Sequence, residues 1–200
     1  KLRTCMKQTE QSIYFNTKVI GEVTISDLQT HSVLLKKRNA IHPKNMALAI
    51  ARSLSRNDNG FVFKVGFGNG GTFLNSSSKI IYRTPNTLGG NANLYNQTYE
   101  VQVDNMSEGT PVSNSVVSAE SPSPAITSVV TVTCVLSADE PAGQAVSSNI
   151  STDANAPFFF DEIGLKTADN MLLSHLIFNP IEKTANRAFL ITYTLTISVS

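Results

Sequence analysis

The sequence predicts a mainly β protein: an antiparallel β-sandwich of the jelly-roll type, with one α-helix and an extended N-terminal arm. Apolar side chains alternate with Thr and Ser along residues 126–136 and 189–199, and this period of two is typical of strands with one buried face. Shorter strand-like segments are separated by stretches rich in Gly, Pro and Asn and not by helices. That order favours an antiparallel sandwich over a parallel α/β sheet.

The composition indicates one folded domain that carries little charge. The chain has 200 residues, of which 41% are hydrophobic and 16% are charged, and its formal net charge is +1. Such a small net charge gives no overall field to attract nucleic acid or an anionic membrane, so we expect neither as a partner. Cys5 and Cys134 belong to no paired motif, which excludes a disulfide framework and a zinc knuckle.

Residues 1–40 are predicted to form the N-terminal arm, and residues 41–200 the sandwich. The first 25 residues are too apolar for a free tail, and they include the interface candidates Ile13, Tyr14 and Phe15. We expect this arm to add a strand to its own sheet or to a neighbour's. A short helix is predicted over residues 28–35, after a Ser-Asp start signal.

The main helix is predicted between Pro43 and about Arg56. Pro43 suits the first helical position, and the sequence Asn-Asp-Asn-Gly at residues 57–60 is a C-terminal stop signal. Lys44 and Arg52 lie mainly off the apolar stripe. That stripe is predicted to consist of Met46, Ala47, Ile50, Ala51 and Leu54.

The rest of the chain is predicted to consist of strands and two long loops. Strands are expected at residues 61–68, 79–84, 98–103, 126–136, 158–161, 171–178 and 189–199, and loops at residues 104–125 and 138–156. The residues expected to tolerate substitution least are Phe63, Phe67, Val132, Tyr193 and Leu195.

Gly66, Gly68 and Gly71 have the G-x-G-x-x-G spacing of a dinucleotide-binding loop. That loop must lead into a helix whose N-terminus receives the pyrophosphate, and no helix is predicted here. The Asn-Gly pair at residues 69–70 favours a tight hairpin turn instead. We therefore expect no nucleotide or other cofactor.

The sequence offers few catalytic side chains. His31, His42 and His175 have no metal-ligand spacing, and neighbours such as Asp161 and Glu162 point to opposite faces of a strand unless a bulge turns one of them. We expect no catalytic residue, no metal site and no small-molecule substrate. A hydrolase remains an alternative if a Ser or Asp meets His175 or His42 in space.

Lys36, Lys37 and Arg38 form the one basic cluster of the sequence. Together with cations of the main helix, they are predicted to form a cationic patch on the helical side. This patch is either solvated surface or a docking site for an acidic protein or a nucleic-acid backbone. No aromatic residues interleave with it to stack bases, so a protein is favoured. The cationic interface candidates are Lys36, Lys37, Arg38, Lys44, Arg52 and Arg56.

Several segments resemble virion structural proteins of tailed bacteriophages. They are MALAIARSLSRNDN, FVFKVGFGNGG, NANLYNQTYEVQVD, FFFDEIGLKT and LLSHLIFNPIEKTANRAFLITYTLTI. The resemblance covers roughly residues 40–105 and 129–199, and its most suggestive parts are DEIGL at residues 161–165 and PIEK at residues 180–183.

The resemblance implies a non-enzymatic protein that is present in many copies on the neck, tail or capsid exterior of the particle. The implied partners are copies of the same chain and other virion proteins, and the implied location is the virion, assembled in the host cytoplasm. An alternative is a carbohydrate-binding or receptor-binding sandwich. The chain has no Trp to stack on a sugar ring, but Tyr95 and Tyr99 keep this alternative open.

Overall fold

A computed structural model describes residues 16–57, 59–103, 114–120, 127–143 and 158–199. Strands occupy 54% of these residues, so the mainly β prediction is confirmed. The elements, in chain order, are β1 (Thr17–Asp27), β2 (Val33–Ile41), α1 (Pro43–Leu54), β3 (Lys64–Gly68), β4 (Thr72–Leu74), β5 (Ile80–Tyr82), β6 (Gln97–Gln102), β7 (Ser115–Glu120), β8 (Thr127–Leu136), β9 (Phe159–Lys166), β10 (Leu172–Glu182) and β11 (Phe189–Val199).

Nine of these strands form one antiparallel sheet, in the order β6-β3-β9-β10-β2-β1-β11-β8-β7. The sheet curls into a half-barrel, so that β6 at one edge comes near β8. The described strands thus form one continuous sheet and not the two separate sheets of a sandwich, because β2 joins β10 through two residue pairs, Ile41 with Ser174 and Ala40 with His175. β4 and β5 form a separate two-stranded hairpin.

The main core is one cluster of buried apolar side chains from the strands of the large sheet and from α1. β8 and β11 pair along their length, with Val132 opposite Tyr193 and Cys134 opposite Ile191, and these four side chains are fully buried. Directly opposed residues share a face of the sheet, so the alternation of each strand gives the sheet a continuous apolar face. The predicted strands at both positions are confirmed.

Most of the residues expected to tolerate substitution least are buried. Phe67, Val132, Tyr193 and Leu195 are at most 3% exposed, whereas Phe63 is half-buried because β3 begins only at Lys64.

The hydroxyl of Tyr193 is buried without a hydrogen-bond partner among the described residues. A buried polar group left unsatisfied costs about 1–3 kcal/mol, so Tyr193→Phe is expected to leave the free energy of unfolding unchanged or to raise it. Tyr95→Phe is the matched control, because that hydroxyl donates to the Thr84 carbonyl at 2.7 Å, and its loss should destabilise slightly. Urea titrations followed by circular dichroism measure both variants. A loss above about 1 kcal/mol for Tyr193→Phe would show that the hydroxyl forms a stabilising hydrogen bond.

β1 is an inner strand of the sheet and not part of an arm. It pairs with β11 from Thr17 opposite Val199 to Asp27 opposite Phe189, and β2 flanks its other edge. The expectation that the first 25 residues add a strand to their own sheet is therefore confirmed for residues 17–25. Their assignment, with β2, to an arm outside the domain is wrong, because both strands lie inside the sheet. Ile13, Tyr14 and Phe15 lie outside the described residues.

The short helix predicted over residues 28–35 is also wrong. Asp27 accepts hydrogen bonds from the amides of Gln29 and Thr30, both at 3.0 Å, and these bonds stabilise a turn. β2 then begins at Val33.

The main helix is confirmed, but its buried face differs from the predicted stripe. Asn45, Met46 and Ala49 are buried, whereas Ala47 is exposed and Leu54 is 85% exposed. Asn45 faces the sheet, where its side-chain Nδ2 donates to the Leu172 carbonyl at 2.8 Å.

Candidate functional site

Asp161 and Glu162 on β9 are two adjacent buried carboxylates, and other buried polar residues lie around them. The β9–β10 pairing shifts at this point, because Ile177 lies opposite Glu162 but Ile181 lies opposite Phe160, which leaves β10 with two extra residues. This bulge accompanies the burial of both carboxylates, which are at most 2% exposed. Two buried carboxylates next to each other require partners.

Glu162 accepts hydrogen bonds at both carboxylate oxygens. Its Oε1 atom accepts from the amides of Asn96 at 2.7 Å and Gly70 at 3.2 Å, and Oε2 accepts from the amide of Tyr95 at 2.9 Å. Burial raises the pKa of this carboxyl, but the hydrogen bonds from His175, Asn96 and Tyr95 outweigh burial and bring the pKa below its usual value. Glu162 is therefore a buried carboxylate that binds two loops.

His175 completes the environment of Glu162. Its Nε2 lies 2.9 Å from Glu162 Oε2, and its Nδ1 accepts from the Asn86 amide at 2.8 Å. Since Nδ1 is an acceptor, the proton is on Nε2 and is donated to Glu162. The side chains of Glu162 and His175 are both fully buried, and neither ring nitrogen is free for a substrate.

Asp161 binds the adjacent turn. Its Oδ1 accepts from the Gly71 amide at 2.8 Å, and its Oδ2 accepts from the Thr72 amide at 2.7 Å and from the Thr72 hydroxyl. Burial raises the pKa of Asp161 in spite of these bonds. Neighbouring carboxyls with opposite pKa shifts serve as acid and base in open clefts. Here every oxygen of both groups already accepts a hydrogen bond from the protein.

The glycines of the G-x-G-x-x-G segment allow these close contacts. A Cβ atom on Gly68 would lie 2.4 Å from the Asn96 carbonyl oxygen, and one on Gly70 would lie 2.6 Å from the Asn96 nitrogen. β3 pairs with β6 and β9, and β4 pairs with β5, so the predicted hairpin turn at residues 69–70 is wrong. The segment instead leads from the sheet to the separate β4–β5 hairpin, and Asp161 and Glu162 bind its amides.

A second histidine binds the long loop that follows β5. The His42 Nδ1 accepts a hydrogen bond from the backbone amide of Asn45 at 3.2 Å, and its Nε2 lies 2.8 Å from the Gly89 carbonyl oxygen. His42 and His175 thus both contact the loop over residues 83–96. No Ser or Asp side chain is hydrogen-bonded to either of them in the described part of the chain, as the hydrolase alternative requires.

Tyr95 and Tyr99, the tyrosines that keep the carbohydrate alternative open, have contacts within the protein or are partly buried. The ring of Tyr95 lies 5.7 Å from that of His175 and 5.0 Å from the Arg83 guanidinium, and Tyr99 is half-buried. Tyr95 is nevertheless 40% exposed, so the carbohydrate-binding alternative stays a prediction.

The β4–β5 hairpin exposes large apolar side chains on both of its faces. We call residues 72–82 the apolar hairpin. Its exposed side chains are Phe73 (48%), Leu74 (58%), Ile80 (40%), Ile81 (37%) and Tyr82 (50%). Large exposed apolar side chains concentrated in one short segment are typical of protein–protein contact sites. The apolar hairpin is therefore the strongest candidate interface among the described residues.

The structure separates the cationic interface candidates into different places. Lys36 pairs with Glu22 at 3.2 Å, while Lys37 and Arg38 line a groove between β2 and β10. The helix residues Lys44 and Arg52 line another cleft. The six cations therefore form no single patch.

In that second cleft, Arg52 pairs with Asp169 at 2.8 Å. Arg56 is exposed at the end of the helix, in the left-handed conformation with φ of 58°.

The contact of His175 with Glu162 and the exposure of the apolar hairpin were not predicted from the sequence. One available signal was the short turn between the strands predicted at residues 158–161 and 171–178. Antiparallel pairing across that turn brings Glu162 and His175 near each other. Another was the run Ile80-Ile81-Tyr82, which is apolar on both faces of a strand.

Lys183, in the PIEK segment, is a buried cation. Its ammonium donates to the carbonyls of Ala138 and Thr184, both at 3.2 Å, and its residue is 1% exposed. Burial lowers its pKa to about 8.

The Lys183 pKa predicts how stability depends on pH. The folded pKa is about 8 and the ordinary value is 10.5, so the unfolded chain binds more protons between these values and stability should rise with pH across this window. Lys183→Met should reduce that rise, whereas the exposed control Lys18→Met should not. Urea titrations at a series of pH values measure the slope. Equal slopes for both variants and the parent would contradict the prediction.

Within the described ranges, no group of three His, Cys, Asp or Glu side chains is arranged to hold a metal ion. The helix that the structure describes lacks the length and apolar character needed to span a membrane.

Comparison of the chain with models of protein families, with curated proteins and with solved structures gives no match.

Proposed function

We propose that this chain is a non-enzymatic structural protein of a bacteriophage particle, which assembles with copies of itself and with neighbouring virion proteins through the apolar hairpin. One observation carries the proposal: five large apolar side chains are 37–58% exposed on two strands of three residues each. An isolated two-stranded hairpin is marginally stable in water. A surface of this kind is stabilised when another protein covers it.

The base of the apolar hairpin is firmly positioned, which supports a role in specific contacts. Asp161 binds the Gly71 and Thr72 amides, and the Arg83 amide donates to the Gly71 carbonyl at 2.8 Å. Because these bonds order the base before any partner arrives, less conformational entropy is lost on binding.

The DEIGL segment, which resembles bacteriophage virion proteins, fits the same role. Its two carboxylates bind loop amides, and its apolar members Ile163 and Leu165 are fully buried. These residues therefore build the scaffold that presents the apolar hairpin. The proposed place of the protein is the neck, tail or capsid exterior.

Electron microscopy of purified particles tests the proposal. A C-terminal tag is added to the chain in the phage, and particles are labelled with gold-conjugated antibody against the tag. Gold is expected at one fixed position on the particles, and untagged particles are the control. Particles without label, from infections in which the tagged chain is found only in the soluble fraction, would refute a virion role.

A further inference from the structure

A groove of about 350 Å³ opens where β2 and β10 separate. Its walls are residues 37–40 of β2, Leu176 and Ile177 of β10, and Tyr82, Arg83 and Pro85 at the end of the apolar hairpin. We call it the β2–β10 groove. The groove brings strand residues together with three cationic side chains, Lys37, Arg38 and Arg83.

The walls of the groove include strand edges that pair with no other strand of the described residues. β2 pairs with β10 only at Ala40 and Ile41, so the antiparallel ladder stops before Asn39 and Arg38. The Lys37 ammonium donates to the Ile177 carbonyl at 3.1 Å. A lysine side chain thus satisfies an acceptor that a main-chain amide would satisfy in a continuous sheet. Open edges of this kind are sites at which another chain adds a strand.

The groove is also positively charged. Lys37, Arg38 and Arg83 are exposed around it. None of these three cations forms an ion pair with an acidic side chain of the described residues. The basic side chains that do so are Lys36, Arg52, Lys64, His175 and Arg187. Three cations therefore meet at the groove without a carboxylate partner among the described residues.

We propose that the β2–β10 groove binds an extended acidic segment of a partner protein by strand addition. The main chain of the segment pairs with the open edge of β2, and its Asp or Glu side chains contact Arg38 and Arg83. The groove shares Tyr82 with the apolar hairpin, but its cations and strand edges lie outside residues 72–82. The inference therefore stands whether or not the protein is a virion component.

Charge and chemistry favour this occupant over two others. The first 15 residues of the chain carry Lys1, Arg3 and Lys7 against Glu10 alone, so the cationic groove would repel the N-terminal segment of this or another copy. A nucleic-acid backbone has no amide to donate to a strand edge, and its affinity depends on many phosphate contacts, for which three cations are few.

Fluorescence anisotropy with labelled synthetic peptides tests the proposal. The probe is an eight-residue peptide of alternating Glu and Val, with a Lys-Val peptide and a main-chain N-methylated Glu-Val peptide as controls. Only the unmodified Glu-Val peptide is expected to bind, and salt should weaken its binding. Arg38→Glu and Arg83→Glu should each weaken binding by about tenfold or more, because each removes charge-assisted hydrogen bonds and adds repulsion. Arg56→Glu, an exposed cation away from the groove, should leave binding unchanged.

Hydrogen exchange measured with and without the Glu-Val peptide adds a structural readout. Added protection is expected at the amides of residues 37–39. The proposal is overturned if the peptide does not bind, if the Lys-Val or N-methylated peptide binds equally, or if a DNA duplex binds more tightly and displaces it. Light scattering of Arg38→Glu, run in parallel, should give the same mass as the parent protein. Failure of groove binding is therefore distinguishable from failure of association through the apolar hairpin.

Discussion

Replacing Glu162 with Ala is expected to lower the free energy of unfolding by about 3–5 kcal/mol, the range for breaking a buried charged network by removing one partner. The substitution leaves the amides of Gly70, Tyr95 and Asn96 and the Nε2–H of His175 without their acceptor. The loss of the acceptor for these donors is the physical origin of that cost. The loops before β4 and before β6 should loosen together, because the same carboxylate binds both.

Glu100→Ala is the matched control. Glu100 also accepts a charged hydrogen bond, from Lys64 at 2.8 Å, but its side chain is 39% exposed, so its loss should cost no more than about 1 kcal/mol. Far-UV circular dichroism in urea titrations measures both variants. If the two substitutions cost the same, the network around Glu162 does not stabilise the fold as described.

Phe67→Ala is expected to lower stability by about 3–5 kcal/mol, the range for truncating a fully buried Phe. Phe67 is 1% exposed, and its ring lies 5.3 Å from that of Phe160. Phe73→Ala makes the same chemical change on the apolar hairpin, where the side chain is 48% exposed. There the expected loss is below about 1 kcal/mol, as for most surface substitutions.

Urea titrations at low protein concentration measure this pair of variants, because association at high concentration would add to apparent stability. The difference between the stability losses of Phe67→Ala and Phe73→Ala is the informative quantity, since both variants make the same substitution at the same type of residue. A large loss for Phe73→Ala under these conditions would mean that the apolar hairpin packs against its own chain and is not a free surface.

Local signals in the sequence predicted several elements well. β8 and β11 alternate apolar and polar residues along most of their length, and Pro43 marks the start of α1. These features depend on neighbouring residues alone. The burial of Asn45 depends instead on the Leu172 carbonyl, 127 positions away, and no local pattern reports such a contact.

The candidate site was less predictable for the same physical reason. The strand order places β2 between β1 and β10, which decides that Arg38 lies at a groove with Arg83 and not beside the helix cations. The burial of Asp161 and Glu162 depends on a bulge and on amides from the loops that bind them. Strand periodicity predicts which face of a strand each of these residues lies on. It does not predict which distant residues will contact it.

Sedimentation velocity over a range of protein concentrations tests the central claim, that the apolar hairpin is an association surface. The monomer mass is 21.6 kDa. The parent protein should sediment above this mass and increasingly so with concentration, whereas the double variant Phe73→Ser and Leu74→Ser should remain monomeric. The control, Val33→Ser with Leu88→Ser, removes two apolar side chains that are 60% and 82% exposed outside the apolar hairpin, and it should associate like the parent. A parent protein that is monomeric at every concentration, or a hairpin variant that associates as strongly as the parent, would contradict the claim.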